Sequence, residues 1–482
     1  VPRASVAPMS TRPFWLSGAA ATGDSEITVT HPYDGRVVAT VSVPSAGQIE
    51  EAVAAADAAA REAAALPAHT RAEALAHVSR RLAERTEEIA GIITAESGKP
   101  IKWARAEVGR SVSVFRWAAE ETRRDSGELQ RLDTDPGGTG RIAMVRRVPK
   151  GPVLGISPFN FPLNLVAHKI APAIAVGAPI VLKPAPATPM TALALGELLA
   201  ETELPPGMVS VLPMPNERAA SLITDPRLPV VSFTGGQFGW ELQRLAPHKH
   251  VTLELGGNAA AVVLGDADLD WAARRIALFG NNAAGQVCIG VQRVIVEDAV
   301  YDEFVTRLVR NVRELPTGDP SDPDTEVGPL INEEAAIRVV DWVQEAVEAG
   351  AELLTGGERD GVTVAPTVLA GAPAGSKVLC EEVFGPVLVV QRVSGVDQAF
   401  AEVNASDFGL QAGVFTRDLQ VAFRAHRELE VGGVVIGDVP SYRADQMPYG
   451  GVKRSGVGRE GVRSAMDDLS YERVMVMTGV RL

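Results

Sequence analysis

Hydrophobic positions along the chain fall into two rhythms, short β-branched runs and longer helical spacings, and their order carries most of the information. Runs at 27–30 and 37–43 predict strands. Ser45 and Gln48 then form a capping-box signature ahead of an Ala-rich helix over 49–65. Helices over 70–96 and 102–122 follow, the first stopped by Gly98 and Pro100. Segment 129–147 is polar with Gly137, Gly138 and Gly140 in its middle, and reads as a hairpin-like excursion. Its strand 142–148 is charged, which leaves two readings: an arm packed on another subunit, or a surface hairpin. From Gly151 the strands 153–156, 180–182, 209–212 and 230–233 are interleaved with helices over 162–176 and 191–201. After Gly257 the alternation resumes through 260–264, 269–279, 293–296 and 301–313, with later strands at 387–390 and 434–436. Such alternation predicts an α/β fold of two doubly wound parallel-sheet domains, with ligands at the carboxyl ends of the strands. The expected division is 12–126 with 149–254 for the first domain and 255–440 for the second.

Composition narrows the class. The 482 residues are 46% hydrophobic and 22% charged, enough for more than one core. No apolar run reaches the length of a membrane-spanning helix, and a net charge of −14 argues against nucleic acid or an anionic membrane as partner. Two cysteines allow at most one disulfide, which reads as a reducing, cytoplasmic setting. Residues 1–10 lack the apolar core of a signal peptide; they are read as disordered or tag-like, with Met9 as a start. The seven histidines are scattered and no Cys/His pair has ligand spacing, so no metal site is expected.

Candidate chemistry centres on Cys288, in Gly285-Gln286-Val287-Cys288. Cys380 precedes Glu381 and Glu382, whose charges disfavour a thiolate, so Cys288 is the better nucleophile. Glu254 lies in an apolar strand before Gly256 and Gly257; it is either a base or a bland buried hydrogen-bonding group. Asn160, in Ser157-Pro158-Phe159-Asn160-Phe161-Pro162, could donate to an oxyanion or merely cap a helix. Lys183, before Pro184, Ala185 and Pro186, could bond ribose or phosphate, or be a solvated residue at a strand end. Phe233-Thr234-Gly235-Gly236, with Gly239 beyond, would let a helix terminus approach a ligand, but does not match the usual dinucleotide fingerprint. Glu382 in Glu382-Val383-Phe384-Gly385-Pro386 could hold a sugar, with Phe384 packed on the ligand, or be an exposed acidic turn. The Gly-rich run 447–460 marks backbone that passes close to something.

Taken in order, these segments resemble the aldehyde dehydrogenase superfamily over nearly the whole chain from about residue 12. The resemblance implies NAD(P)-dependent oxidation of a small aldehyde or semialdehyde to its acid. Cys288 would form a thiohemiacetal and then a thioester, Asn160 would hold the oxyanion, Glu254 would activate water, and Lys169 would assist proton handling. NAD or NADP would lie against Ser157, Phe159, Lys183, Pro186, Thr234, Gly235, Gly236, Gly239, Leu255, Glu382 and Phe384. Pro186 stands where strictly NAD-preferring relatives often carry Glu, which leaves NADP open. Arg110, Phe161, Leu165, His168, Val287, Arg443 and Tyr449 match positions that line the substrate entrance. Val287, rather than the Arg of relatives acting on phosphorylated aldehydes, speaks against such a substrate. Arg110 and Arg443 would suit a carboxylate-bearing semialdehyde, or else pair with Glu107 or Asp445. Residues 127–148 and 467–482 resemble the family's oligomerisation arm, implying a homodimer or homotetramer. Two alternatives are a coenzyme-A-dependent acylating relative, against which Glu254 argues, and a non-enzymatic binding protein of the same fold.

Overall fold

A computed structural model describes residues 11–480; the expectations for residues 1–10 and for 481–482 of the arm lie outside the described residues. Two sheets organise the chain. The first runs in the order Ala19–Ala21, Phe14–Leu16, Val209–Val211, Ile180–Lys183, Val153–Ile156, Val230–Thr234, His250–Glu254, Gly456–Val457. Its five central strands are parallel. The chain steps outward from Val153–Ile156 to Val209–Val211, then returns to the other side at Val230–Thr234. The order reverses between Val153–Ile156 and Val230–Thr234, where α/β sheets open a crevice at their carboxyl ends. Ile180–Lys183 and Val230–Thr234 are buried throughout, because helices cover both faces of the sheet.

The second sheet runs Glu352–Thr355, Thr367–Ala370, Val387–Val393, Val291–Glu297, Ala259–Val263, Gln411–Phe415, Gly433–Ile436. Every pairing in it is parallel except the outermost, Glu352–Thr355 with Thr367–Ala370. The fold is thus α/β with two parallel sheets, as the alternation predicts. A third, antiparallel sheet joins Glu128–Arg131, Arg141–Pro149 and Ser470–Thr478. The excursion at 129–147 is therefore a hairpin whose long strand is paired by the tail.

The Ser45 capping box is formed, with Ser45 N–H donating to Gln48 Oε1 at 2.9 Å and Gln48 N–H to Ser45 Oγ at 3.3 Å. The single helix expected over 70–96 is instead two, Ala68–Glu84 and Thr86–Ser97. Arg85 leaves helical geometry (φ −101°, ψ 22°), held by Glu88 and Glu197, while Thr86 Oγ1 returns to the Ala83 carbonyl at 2.9 Å. Local hydrogen bonding at Arg85 and Thr86 overrides a continuous apolar spacing. No helix among the described residues is long and apolar enough to cross a membrane.

Candidate active site

The loop carrying Cys288 is shaped by backbone that few residues adopt. Ala283 (φ 50°), Ala284 (φ 55°) and Gly285 (φ 68°) turn left-handed in succession, a conformation that costs energy at the two alanines. A side chain at Gly285 would meet the Gly385 carbonyl at 2.1 Å, so the turn is clamped against the loop after Glu382. Gln286 secures it further: its Oε1 accepts from Ile331 N–H at 2.9 Å. Gly257 has a specific reason to be glycine, since a Cβ there would sit 2.3 Å from the Cys288 carbonyl.

Around Cys288 the side chains converge. Its Sγ lies 3.1 Å from Tyr449 Oη, which donates to Glu254 Oε1 at 3.3 Å. Glu254 ends its parallel strand at the carboxyl edge of the first sheet and is buried, with Oε2 lacking any partner among the described residues. Burial, and then the charge of Glu460, raise its ionisation toward neutrality. Burial and the Glu254 charge likewise push the Cys288 thiol well above its ordinary value, so its proton needs an acceptor. Asn160 Nδ2 donates to the Gln286 carbonyl at 2.8 Å, tying the turn after Val153–Ile156 to the Cys288 loop and leaving its second N–H without an acceptor among the described residues.

Two cavities meet at this point. The larger, about 520 Å³, occupies the crevice where the first sheet reverses its strand order. Ser157, Phe159, Asn160, Lys183, Pro186, Thr234, Gly235, Gly236, Glu254, Leu255, Cys288, Glu382 and Phe384 line it. Gly239 does not; a side chain there would strike Leu255 at 2.5 Å, so it serves helix–strand packing. Lys183 donates to Asn216 Oδ1 at 2.8 Å, and burial lowers it to about 8. Glu382 accepts Gly257 N–H at 3.0 Å and is raised by burial to about 7. Gly256 must lack a side chain, because a Cβ would lie 2.1 Å from Glu382 Oε2. Phe384 adopts a left-handed φ of 47° and meets Phe159 edge-on, with centroids 5.9 Å apart. A cation and a carboxylate in one partly apolar crevice, with a buried Ser157 hydroxyl unpaired among the described residues, suit a ligand carrying hydroxyl pairs and phosphates. Asn216 and Arg338 also line this cavity. Nothing in their sequence surroundings marks them, because both reach it from elements remote in the chain.

The smaller cavity, about 220 Å³, lies on the other side of Cys288. Arg110, Phe161, Leu165, Val287, Arg443 and Tyr449 line it, as do Lys99 and Arg275. Each cation is backed by an acid: Lys99 by Glu107, Arg110 by Asp445 (2.9 Å), Arg275 by Asp438 (2.7 Å) and Arg443 by Glu460 (3.1 Å). Among these acids only Glu107 reaches the wall, and its Oε1 is already taken by the Leu163 and Asn164 amides. Arg443 sits over the Tyr449 ring at 3.7 Å, and its buried Nε–H has no acceptor among the described residues. Lys99 sits 3.7 Å over the Phe161 ring. Its signal in the sequence was slight, a Lys between a helix stop and a proline.

Besides Gly239, two predicted residues line neither cavity. His168 is buried behind Asp445 at 3.4 Å, and burial, then Arg443, lowers it to about 4, which keeps it neutral. Lys169 is buried behind Glu254, donating to Thr234 Oγ1 (2.7 Å), Ser232 Oγ (3.1 Å) and Glu460 Oε1 (3.3 Å). Despite its burial, Glu460 is held well below the usual carboxylate range by Lys169 and Arg443.

Comparison with known proteins agrees with this geometry. The profile of the aldehyde dehydrogenase family matches residues 19–475. The chain belongs to that family. The aldehyde dehydrogenase fold is matched over nearly its whole length by aldehyde dehydrogenase 21 from Physcomitrella patens, solved with its reaction product succinate. That structure has 44% identity and a TM-score of 0.96, covering 98% of this chain and 99% of the other. NADP-dependent glyceraldehyde-3-phosphate dehydrogenase from Bacillus halodurans, solved with NADP, is 34% identical with a TM-score of 0.93, covering 98% and 100%. The 3-sulfolactaldehyde dehydrogenase of Priestia aryabhattai is 41% identical over 466 residues, 96% of this chain and 97% of its own. The protein is therefore an enzyme, an aldehyde dehydrogenase, and a non-enzymatic binding role is set aside.

Proposed function

We propose that this aldehyde dehydrogenase oxidises a small aldehyde carrying a carboxylate or sulfonate to the corresponding acid, with NAD or NADP. One observation carries the reading: Cys288 joins a crevice suited to a dinucleotide to a second cavity whose wall bears four cations. An anionic group in that cavity would meet guanidinium donors whose acids stand behind them. The relatives acting on 3-sulfolactaldehyde and releasing succinate handle compounds of this kind.

In this reading Cys288 Sγ adds to the carbonyl, and Asn160 donates its free amide N–H to the oxygen that becomes negative. Bound in the larger cavity, the nicotinamide supplies the two-electron acceptor. Ser157, Lys183, Thr234, Gly235, Gly236 and Glu382 would hold the cofactor, with Pro186 leaving room for a 2′-phosphate. Oxidation leaves a thioester on Sγ, and Glu254 takes a proton from the water that cleaves it. A carboxylate raised toward neutrality suits that task, and favours water over coenzyme A as acceptor. Lys169 acts from behind, holding Glu460 and through it the field at Glu254. Residues 12–126 with 149–254 form the cofactor-binding domain and 255–440 the catalytic one. The antiparallel sheet joins copies into a dimer or tetramer: its outer strand Ser470–Thr478 has an edge unpaired among the described residues and exposes Val474, Met475 and Val476.

Initial rates with succinic semialdehyde and with butanal, each with NAD and NADP, test the reading. The charged aldehyde should give a kcat/KM at least ~10-fold higher, the worth of one charge-assisted hydrogen bond. Equal values would overturn the anionic assignment.

A further inference from the structure

Tyr449 enters the site as a wall of the substrate cavity, yet its hydroxyl faces inward. A buried phenol needs partners, and the two this one has are the reacting groups themselves: Cys288 Sγ at 3.1 Å and Glu254 Oε1 at 3.3 Å. Its ring is fixed in place. Arg443 stacks on one face at 3.7 Å, and the Tyr449 backbone exchanges two hydrogen bonds with Glu460, at 3.0 and 2.6 Å. A phenylalanine would fill the same space and make none of the hydroxyl contacts.

We propose that the Tyr449 hydroxyl is a catalytic proton carrier, passing the Cys288 thiol proton to Glu254 when the nucleophile is made. The S–H bond breaks as an O–H bond forms at Oη, while the original phenolic O–H breaks and a new one forms at Glu254 Oε1. Thiol and carboxylate become thiolate and carboxylic acid; nothing is oxidised, and the phenol ends as it began, now donating to the thiolate. The inference rests on the reading of Cys288 as nucleophile and adds how it is activated. Glu254 then serves twice, first receiving this proton and, after losing it, taking one from water.

The charges around Tyr449 favour a neutral carrier. Glu254 and Cys288 face the hydroxyl, Arg443 faces the ring, Glu460 pairs with its backbone, and Lys169 lies beyond Glu460. Glu382 acts on Cys288 from across the crevice. Burial and the anionic neighbours push the phenol's own ionisation well above its ordinary value, so it exchanges protons without holding a charge.

The test is the alkylation rate of Cys288 by iodoacetamide from about pH 6 to about pH 10, read by peptide mass spectrometry. It uses Cys380→Ser protein, because Cys380 is exposed, with and without Tyr449→Phe. The phenylalanine variant should react ~10-fold more slowly near neutrality, with its inflection moved up by about one unit and the two profiles converging at the alkaline end. Superimposed profiles would overturn the proposal and mean that Glu254 takes the proton directly. Should the variant fold poorly, a proton inventory of alkylation in mixed H₂O/D₂O on the unsubstituted protein decides: a bowed plot, two protons in flight, supports the carrier, and a straight line removes it. Alkylation of Cys288 that leaves aldehyde oxidation intact would instead remove the nucleophile reading beneath it.

Discussion

Lys169 Nζ stands 3.3 Å from Glu460 Oε1, with both side chains sealed from solvent directly behind Glu254. Breaking a buried pair from one side leaves an uncompensated charge. Lys169→Met should therefore lower stability by about 3 kcal/mol in urea unfolding, the loss tempered by Arg443 on the other carboxylate oxygen. Removing that cation should also raise Glu254 further, moving the acidic limb of the kcat profile to higher pH. A variant as stable as the parent, with an unmoved limb, would show the pair to be inert.

Glu254→Gln should separate the two halves of the reaction. Reduced cofactor should still appear in a burst of about one equivalent per chain, but more slowly than in the parent because the thiol proton has lost its acceptor, followed by turnover slowed ~10³-fold, within the usual range for loss of a positioned base. In the parent, deacylation should fall as pH drops through the raised ionisation of Glu254, because only the carboxylate accepts a proton. Full steady-state turnover in the variant would take Glu254 out of the mechanism.

Cofactor affinity should carry its own pH dependence. Glu382 is raised to about 7, so its ionised form, the better acceptor for a hydroxyl pair, is lost as pH falls through neutrality. Fluorescence titration should give a weaker Kd at about pH 6 than at about pH 8, by up to ~10-fold, the worth of one hydrogen bond to a charged acceptor. Glu382→Gln should bind weakly at both and abolish the step.

Arg110 is the cavity cation most exposed to an incoming anion, at 31%. Arg110→Gln should reduce kcat/KM for a carboxylate-bearing aldehyde by roughly 10- to 100-fold while changing that for butanal little. Parallel losses on both would point to packing instead of recognition.

On the third sheet, Val474→Glu with Val476→Glu would put like charges along an exposed strand. If that strand joins copies of the chain, the mass in light scattering should fall to that of a smaller species. An unchanged mass would locate the interface elsewhere.

How far the sequence announced these features depends on how local their causes are. Strands such as 180–182 and 230–233 were visible because burial on both faces leaves an unbroken apolar run. Cys288, Glu254 and Lys183 stood out because each is a chemically odd residue at an element's end. The break at Arg85 was not visible, since only one of the two acids that hold it, Glu88, is local, and the other, Glu197, lies on a distant helix. The tail strand Ser470–Thr478 has little apolar alternation of its own and is held by Arg141–Pro149. The acids behind the cations were legible in part: Asp445 was among the expected partners and pairs with Arg110, whereas Glu460 and Asp438 were hidden for the same reason. Arg443 turns to Glu460 and leaves Asp445 to Arg110 and His168, a choice made only when Gly450 and Gly458 fold the Gly-rich run back on itself.

Leu165 and Cys288 are common to the walls of both cavities. The thiol is thus a party wall between two chambers. In the proposed assignment a product acid and a spent dinucleotide lie on opposite sides of it, so a change at Leu165 or Cys288 alters both binding events at once.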